Sequence, residues 1–556
     1  MYLRSVQVRN LPEAGFSFSA ITRTRGGRQT HTMTSLAQLP TELVLQICTY
    51  FCLHCQVTRV VAASPAAVYA ASLGQTTLAR LSQCSRRLQD IAQPVLFHQY
   101  HTREENVFGS ARKRLASFVF ATLRQQHLAT AVQAMSLYYP QARDRQSDVY
   151  YYVAQPVDDA DGLVRQAAQR LGGYLPEVCG DRLTFEDFND LAIAIMPNLS
   201  QLCLEPHFEW RAIEEWCWTD WPYPLPALTC LVLRGAREEP GLEKTYHLYE
   251  ARDLIQQAPN LRVLIAPDCA AGSLTEAYHR HTGKPWDVPL NGLRTLSLNG
   301  INLDQLATML LKCPVLEELE YFDDESDVLE TFCPERHLGH VKTTLRRLCY
   351  SQRQAGRTNR EDYAFDDLYE SDFDSDVDFN NAEDDAEVQR LLEFKASSAN
   401  EPPRLSMASF PVLEVLELEQ LLLYGPRLAD PIHDAVSSQA RMPPYAQTVP
   451  NDLFARFPPS IRHLRVGAVF YWPTIYRDLL ALAAEPSRFP RLKSITLEVF
   501  KTPPEHEVLA LTNTLRDIAG IMVSVFRVAR GEPLERGLLP ARPGHYECAP
   551  EPLVYG

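Results

Sequence analysis

Pro411-Val412-Leu413-Glu414-Val415-Leu416-Glu417-Leu418 states in eight residues the pattern that organises most of this chain. Leu416 and Leu418 alternate with Glu417, which describes a short strand with one apolar face, and Pro411 restricts the incoming chain. The same Pro-x-Leu-x-x-Leu-x-Leu order occurs at Pro197, Leu199, Leu202, Leu204 and at Pro226, Leu228, Leu231, Leu233. It recurs at Pro259, Leu261, Leu264; at Pro314, Leu316, Leu319, Tyr321; at Pro459, Ile461, Leu464, Val466; and at Pro490, Leu492, Ile495, Leu497. Leu293, Leu296, Leu298 and Leu345, Leu348, Tyr350 repeat it without the proline.

These nine copies start 23 to 33 residues apart, except across two gaps of 68 and 48 residues. Between them lie helical patterns such as Leu303, Leu306, Leu310, Leu311, or Leu254 and Ile255 ahead of Pro259. A strand–helix unit cannot bury its apolar face alone, so the units are expected to stack on one another. The two long gaps read as loops inserted between repeats, one of them containing Pro426 to Pro450.

A different pattern precedes the array. Leu39, Leu43, Ile47 and Phe51 recur every four residues along one helical face, with Pro40 at the first turn and Glu42 at the positive end of the helix. An Ala-rich stretch follows, from Val57 to Leu73. A second helical pattern carries Leu78, Leu81, Leu88 and Ile91, with Pro94 expected to end it and Val95-Leu96-Phe97 to open a third element.

Leu39-Pro40-x-Glu42-Leu43 with Ile47, followed by Leu78-x-x-Leu81, Ser85-Arg86-Arg87-Leu88, Ile91 and Leu96-Phe97, resembles the F-box. The spacer from Cys52 to Thr77 is longer than that family's usual link. The repeats resemble degenerate leucine-rich repeats of the F-box class. The resemblance implies a small all-α F-box module over 35–100 and a helical bridge over 101–180. A curved leucine-rich-repeat-like α/β solenoid would follow over 181–535, an α+β repeat architecture overall. It also implies a non-catalytic substrate-recognition subunit of a Skp1–cullin–F-box ubiquitin ligase. Leu39, Pro40, Glu42, Leu43, Ile47, Leu78, Leu81 and Leu88 would bind the Skp1-like adaptor, and through it a cullin. The repeats would hold an unidentified protein substrate, their intervening x positions pointing outward and free to vary. The alternative is a leucine-rich-repeat interaction scaffold with no ligase role.

Composition bounds the rest. The chain has 556 residues and a net charge of −15, yet 13 of its acidic residues fall between Glu361 and Glu387, where no basic residue occurs. Without them 54 basic residues face 56 acidic ones, so the scaffold is nearly neutral. No basic surface for nucleic acid is expected. Residues 355–404 read as a self-repelling disordered insertion; Ser371 and Ser375, each with an Asp three residues on, are its phosphorylation candidates. The basic, Ser/Thr-rich residues 1–34 read as a disordered leader, with Met33 an alternative start, and 536–556 as a tail. Thirteen scattered cysteines and the lack of a membrane-length apolar run point to the cytoplasm or nucleus.

Motifs that would signal catalysis fail on inspection. His506-Glu507 begins a zinc-protease helix, but Ala510 stands where the second histidine belongs. Asp372, Asp374, Asp376, Asp378 and Glu383 count like a calcium loop, but Val377 occupies the position that requires glycine. Cys48, Cys52, His54 and Cys55 invite a zinc reading; with Cys84 the nearest further cysteine, no second ligand pair is evident and no metal or cofactor is expected. Trp210, Trp216, Trp218 and Trp221 mark either an interaction surface or a packed loop.

Overall fold

In all nine copies the second and third apolar positions lie on a strand, and the strands pair in the register that the sequence pattern anticipates. In chain order the strands are β1 (Gln99–His101), β2 (Ala134–Tyr138), β3 (Gln201–Glu205), β4 (Cys230–Leu233), β5 (Val263–Ala266) and β6 (Thr295–Asn299). They continue as β7 (Glu318–Asp323), β8 (Arg347–Gln352), β9 (Val415–Glu419), β10 (His463–Val469), β11 (Ser494–Val499) and β12 (Met522–Arg527). Among the described residues these form one 12-stranded sheet in strictly sequential order, and every pairing is parallel. The middle leucine of each copy faces that of the next: Leu202, Leu231, Leu264, Leu296, Leu319, Leu348, Leu416, Leu464 and Ile495 form one continuous row. The chain is therefore α/β, with helices between parallel strands.

The computed structural model describes residues 36–56, 65–101, 109–138, 185–205, 223–233, 248–266, 290–299, 303–323, 332–352, 406–420, 456–469, 472–499 and 502–527, with a few single residues between. The leader, the tail, the acidic insertion with Ser371 and Ser375, the calcium-like run, Pro426 to Pro450 and the four clustered tryptophans lie outside them.

The proline has a specific job. In each of the seven copies with the proline, the first apolar position donates its N–H to the carbonyl three residues earlier: Leu199 to Met196, Leu228 to Leu225, Leu261 to Ala258, Leu316 to Cys313, Leu413 to Phe410, Ile461 to Pro458 and Leu492 to Phe489. Pro197, Pro226, Pro259, Pro314, Pro411, Pro459 and Pro490 thus take the second place of a β-turn, where a fixed φ near −65° is already correct. Polar side chains link successive turns, as Asn260 donates to the Pro226 carbonyl at 2.8 Å and Ser460 to the Leu413 carbonyl at 2.8 Å. The sheet runs straight across both long gaps, since β8 pairs with β9 and β9 with β10.

Twelve α-helices are also described, beside four short 3-10 helices: α1 (Thr41–Tyr50), α2 (Leu53–Gln56), α3 (Pro65–Cys84), α4 (Arg86–Leu96), α5 (Gly109–Arg124) and α6 (Gln126–Ala131). After them come α7 (Phe185–Ala194), α8 (Arg252–Gln256), α9 (Leu303–Leu310), α10 (Pro334–His337), α11 (Trp472–Ala484) and α12 (Glu505–Ala519). None of the described helices is long and apolar enough to cross a membrane. The strand leucines and the helices of the repeat units share one continuous core, while Val44, Cys48, Cys52, Leu78, Leu88, Ala92 and Val95 make a second, smaller one within α1–α4.

Three sequence expectations are corrected. Pro94 does not end a helix: α4 runs through it to Leu96, because the buried face of Leu88, Ala92 and Val95 outweighs one missing N–H in the last turn. The break falls instead at Ser85, whose side chain caps α4 by accepting from Leu88 N at 3.2 Å. The stretch 101–180 is not purely helical, since β1 and β2 extend the sheet to its N-terminal side. Nor do all the x positions point freely outward: Cys203, Val232, Ile265, Ser297, Glu320, Cys349 and Glu417 are buried, whereas Arg262, Arg294, Arg346 and Lys493 are exposed. The same face is only half-buried at Arg347, Arg465 and Thr496, so it opens toward the C-terminal strands.

Gly74 in α3 marks a close crossing. A methyl group there would lie 2.2 Å from the Phe51 carbonyl oxygen at the end of α1. Alanine exceeds glycine in an unhindered helix by about 1 kcal/mol. Here Gly74→Ala is expected to reverse that sign and destabilise by about 1–3 kcal/mol through overpacking. Thermal unfolding checks it, and a raised Tm would contradict the close approach.

Candidate functional site

The short helix α1 has two apolar faces, and only one is used internally. Val44 and Cys48 are buried against α3 and α4, whereas Leu43 is 44% exposed and Tyr50 is 68% exposed. Leu39, Leu43, Gln46, Ile47, Tyr50 and Phe51 line an open groove along the outer face. Its entry is fixed by Arg87, whose guanidinium donates to the Leu39 carbonyl at 2.5 Å and to the Thr41 hydroxyl at 3.3 Å. Of the residues singled out in the sequence, Leu39, Leu43 and Ile47 meet in this groove. Pro40 and Glu42 are exposed at the helix start, and Leu81 is half-buried. Leu78 and Leu88, expected to contact the adaptor, lie instead inside the small core and do not line the groove. Tyr50 and Gln46 belong to the groove too, and the four-residue period of the leucines passed over them.

A second candidate surface is the strand face opposite the leucine row. Over β4 and β5 it is apolar (Cys230, Val232, Val263, Ile265), but from β6 onward it turns polar and then charged. Arg347 and Glu417 approach to 2.7 Å, Glu417 and Arg465 to 3.4 Å, and Arg465 also pairs with Glu498. Burial acts against the charge on Arg347, but Glu417 and the carboxylates of Glu320 and Glu318 outweigh it and hold the guanidinium above its ordinary pKa. Arg465 is raised in the same way, chiefly by Glu498 and Glu417 against burial. On the neighbouring level of the same face, His463 Nδ1 lies 2.7 Å from Ser494 Oγ.

A third cluster lies where the helical module meets the sheet. Cys52, His54 and Cys55 at the end of α1 and in α2 are joined by His98, from the turn between α4 and β1. His98 Nδ1 lies 3.3 Å from Cys55 Sγ and 3.9 Å from Cys52 Sγ, and His54 Nδ1 lies 3.9 Å from Cys55 Sγ. The two rings meet edge to face at 5.5 Å. Burial pushes the Cys52 thiol up to about 12, and burial together with His54 pushes His98 down to about 4. Cys48, grouped with these residues by sequence proximity, faces the small core instead. His98 was the missing member, 43 residues from Cys55 and reached only by folding. His506 and Glu507 sit in the first turn of α12, apart from this cluster in sequence and element.

No family model matches this chain, and a search of curated proteins finds no match either, so its function has to be read from these three groups of residues.

Proposed function

We propose that the chain is the substrate-recognition subunit of a Skp1–cullin–F-box ubiquitin ligase, built from an F-box module over α1–α4 and a leucine-rich-repeat solenoid. The observation that carries this reading is the outer face of α1. A ten-residue helix that already buries Val44 and Cys48 leaves Leu39, Leu43, Ile47 and Tyr50 along an open groove. An apolar groove of this kind suits an amphipathic helix of a partner, with i, i+3 and i+4 anchors. The sequence motif names that partner as a Skp1-like adaptor, which would connect the chain to a cullin. The repeat units then hold the target near the ubiquitin-charged enzyme, raising effective concentration and supplying no catalytic group. In this reading target contact falls on the half-buried C-terminal part of the strand face and on the exposed turns that border it, which carry Arg262, Arg294, Arg346 and Lys493.

Co-expression with a Skp1-like adaptor, followed by capture of the full chain, tests the assignment. Wild type is expected to retain the adaptor. Leu43→Ala is expected to weaken it by about 2 kcal/mol, roughly 30-fold, as a central anchor does. Because Leu43 is exposed, its loss should leave folding within about 0.5 kcal/mol of wild type. Failure of the folded wild-type chain to bind the adaptor would favour the non-ligase scaffold.

A further inference from the structure

We propose that Cys52, His54, Cys55 and His98 form a structural zinc site that ties the end of α1 and α2 to the first strand of the sheet. The donor set is two sulfurs and two imidazole nitrogens, a combination typical of closed tetrahedral zinc. All four donor atoms lie within 4.8 Å of one another. Zinc–sulfur bonds of about 2.3 Å and zinc–nitrogen bonds of about 2.0–2.1 Å place tetrahedral ligand atoms roughly 3.3–3.8 Å apart. Three of the six separations, at 3.3, 3.9 and 3.9 Å, lie at or near that range, and with the rest within 4.8 Å, closure onto an ion needs shifts of up to about 1 Å. Four protein donors leave no open position for water or substrate, which makes the site structural and not catalytic.

The surroundings are built to hold the ligands. The backbone N–H of His54 donates to Gln99 Oε1 at 3.2 Å, and Gln75 reaches the Gln99 carbonyl at 3.4 Å, so α2, α3 and β1 converge on the cluster. The carbonyl of His98 accepts from both Gln133 and Ala134, which anchors that ligand to the start of β2. Phe97 and Tyr100, on either side of it, stack on Phe118 of α5 at 5.4 and 4.3 Å. An ion here would join the end of α1 to the sheet and fix the direction in which the α1 groove faces. The site stands independently of which partner occupies that groove.

Metal analysis of the purified full-length chain, dialysed against a mild chelator, is the test. About one zinc per chain is expected for wild type. Cobalt substitution should give the intense visible bands of a tetrahedral site with thiolate ligands. Cys55→Ser and His98→Ala should each lose the metal, while Cys84→Ser, an exposed cysteine outside the cluster, should retain it. Because Cys55 is exposed, its serine variant should stay folded, and circular dichroism confirms that the metal loss is local. The proposal is overturned by a folded wild-type chain without zinc, by iron in its place, by full zinc content in Cys55→Ser, or by a Cys52–Cys55 disulfide in the isolated protein.

Discussion

Replacing Tyr350 with alanine is expected to remove about 3–5 kcal/mol of folding stability, the usual range for truncating a buried aromatic side chain. Tyr350 occupies the third leucine position of its repeat copy and is fully buried. Its ring stacks on Phe332 at 4.0 Å and 12°, and on Tyr321, the equivalent residue of the preceding copy, at 5.6 Å and 30°. Tyr321 in turn donates its hydroxyl to the Ile301 carbonyl. The aromatic pair therefore fastens β7 and β8 to the segment carrying Phe332. Tyr350→Leu, which restores the residue type of the other copies, should lose only part of this, about 1–2 kcal/mol from the stacking and the volume difference. Urea denaturation separates the outcomes: the midpoint should fall in the order wild type, Leu, Ala, with an unchanged m-value. A loss below about 1 kcal/mol for the alanine variant would mean that the site collapses around the cavity, and the fastening role would be wrong.

The repeat was legible because a strand with one buried face leaves a period-two trace and the Pro turn leaves a fixed offset, and both survive large changes in loop length. β8 and β9 are separated by the acidic insertion, yet Leu348 and Leu416 align in sequence and in space. The strands that escaped notice are entered differently. β12 follows the end of α12, where Gly520 takes a left-handed φ of 68° and the N–H groups of Gly520 and Ile521 return to Arg516 and Leu515. That glycine cap turns the chain as the Pro turn does elsewhere, but it carries neither the proline nor the leucine. β2 leaves α6 through Val132, with Met135 and Leu137 as its core residues, and β1 leaves α4 through Phe97 and His98. Each substitutes a different apolar residue where the pattern demands leucine.

The candidate sites were legible to different degrees for the same physical reason. Periodicity marked Leu39, Leu43 and Ile47 as one helical stripe. It could not say that the neighbouring stripe of Val44 and Cys48 is the one facing inward, because packing against α3 and α4 decides that. The Cys52, His54, Cys55 group was visible, and its fourth member was not. Sequence spacing reveals ligand pairs on one element, whereas His98 arrives from another.

The charged strand face gives a second large effect, and the sign of the argument is set by which partner is removed. Glu417 is 7% exposed and lies between Arg347 and Arg465, which are 29% and 31% exposed. Removing a carboxylate from such a position leaves two guanidinium groups facing one another with less compensation. A fully buried pair broken in this way costs about 3–5 kcal/mol; because both arginines reach solvent, Glu417→Ala is expected to cost about 2–3 kcal/mol. Glu417→Gln keeps the volume and loses the charge, so it should recover less than half of that loss. Combining Glu417→Ala with Arg347→Ala should cost less than the sum of the single changes by roughly 1 kcal/mol or more, since the two side chains share one contact. Strict additivity in that cycle, read from denaturant midpoints at constant salt, would show that the carboxylate supports the fold through packing alone. If the coupling is found, Glu417 is the residue through which β8, β9 and β10 hold a charged row on a partly buried parallel face, and nearby substitutions on that face will not be neutral.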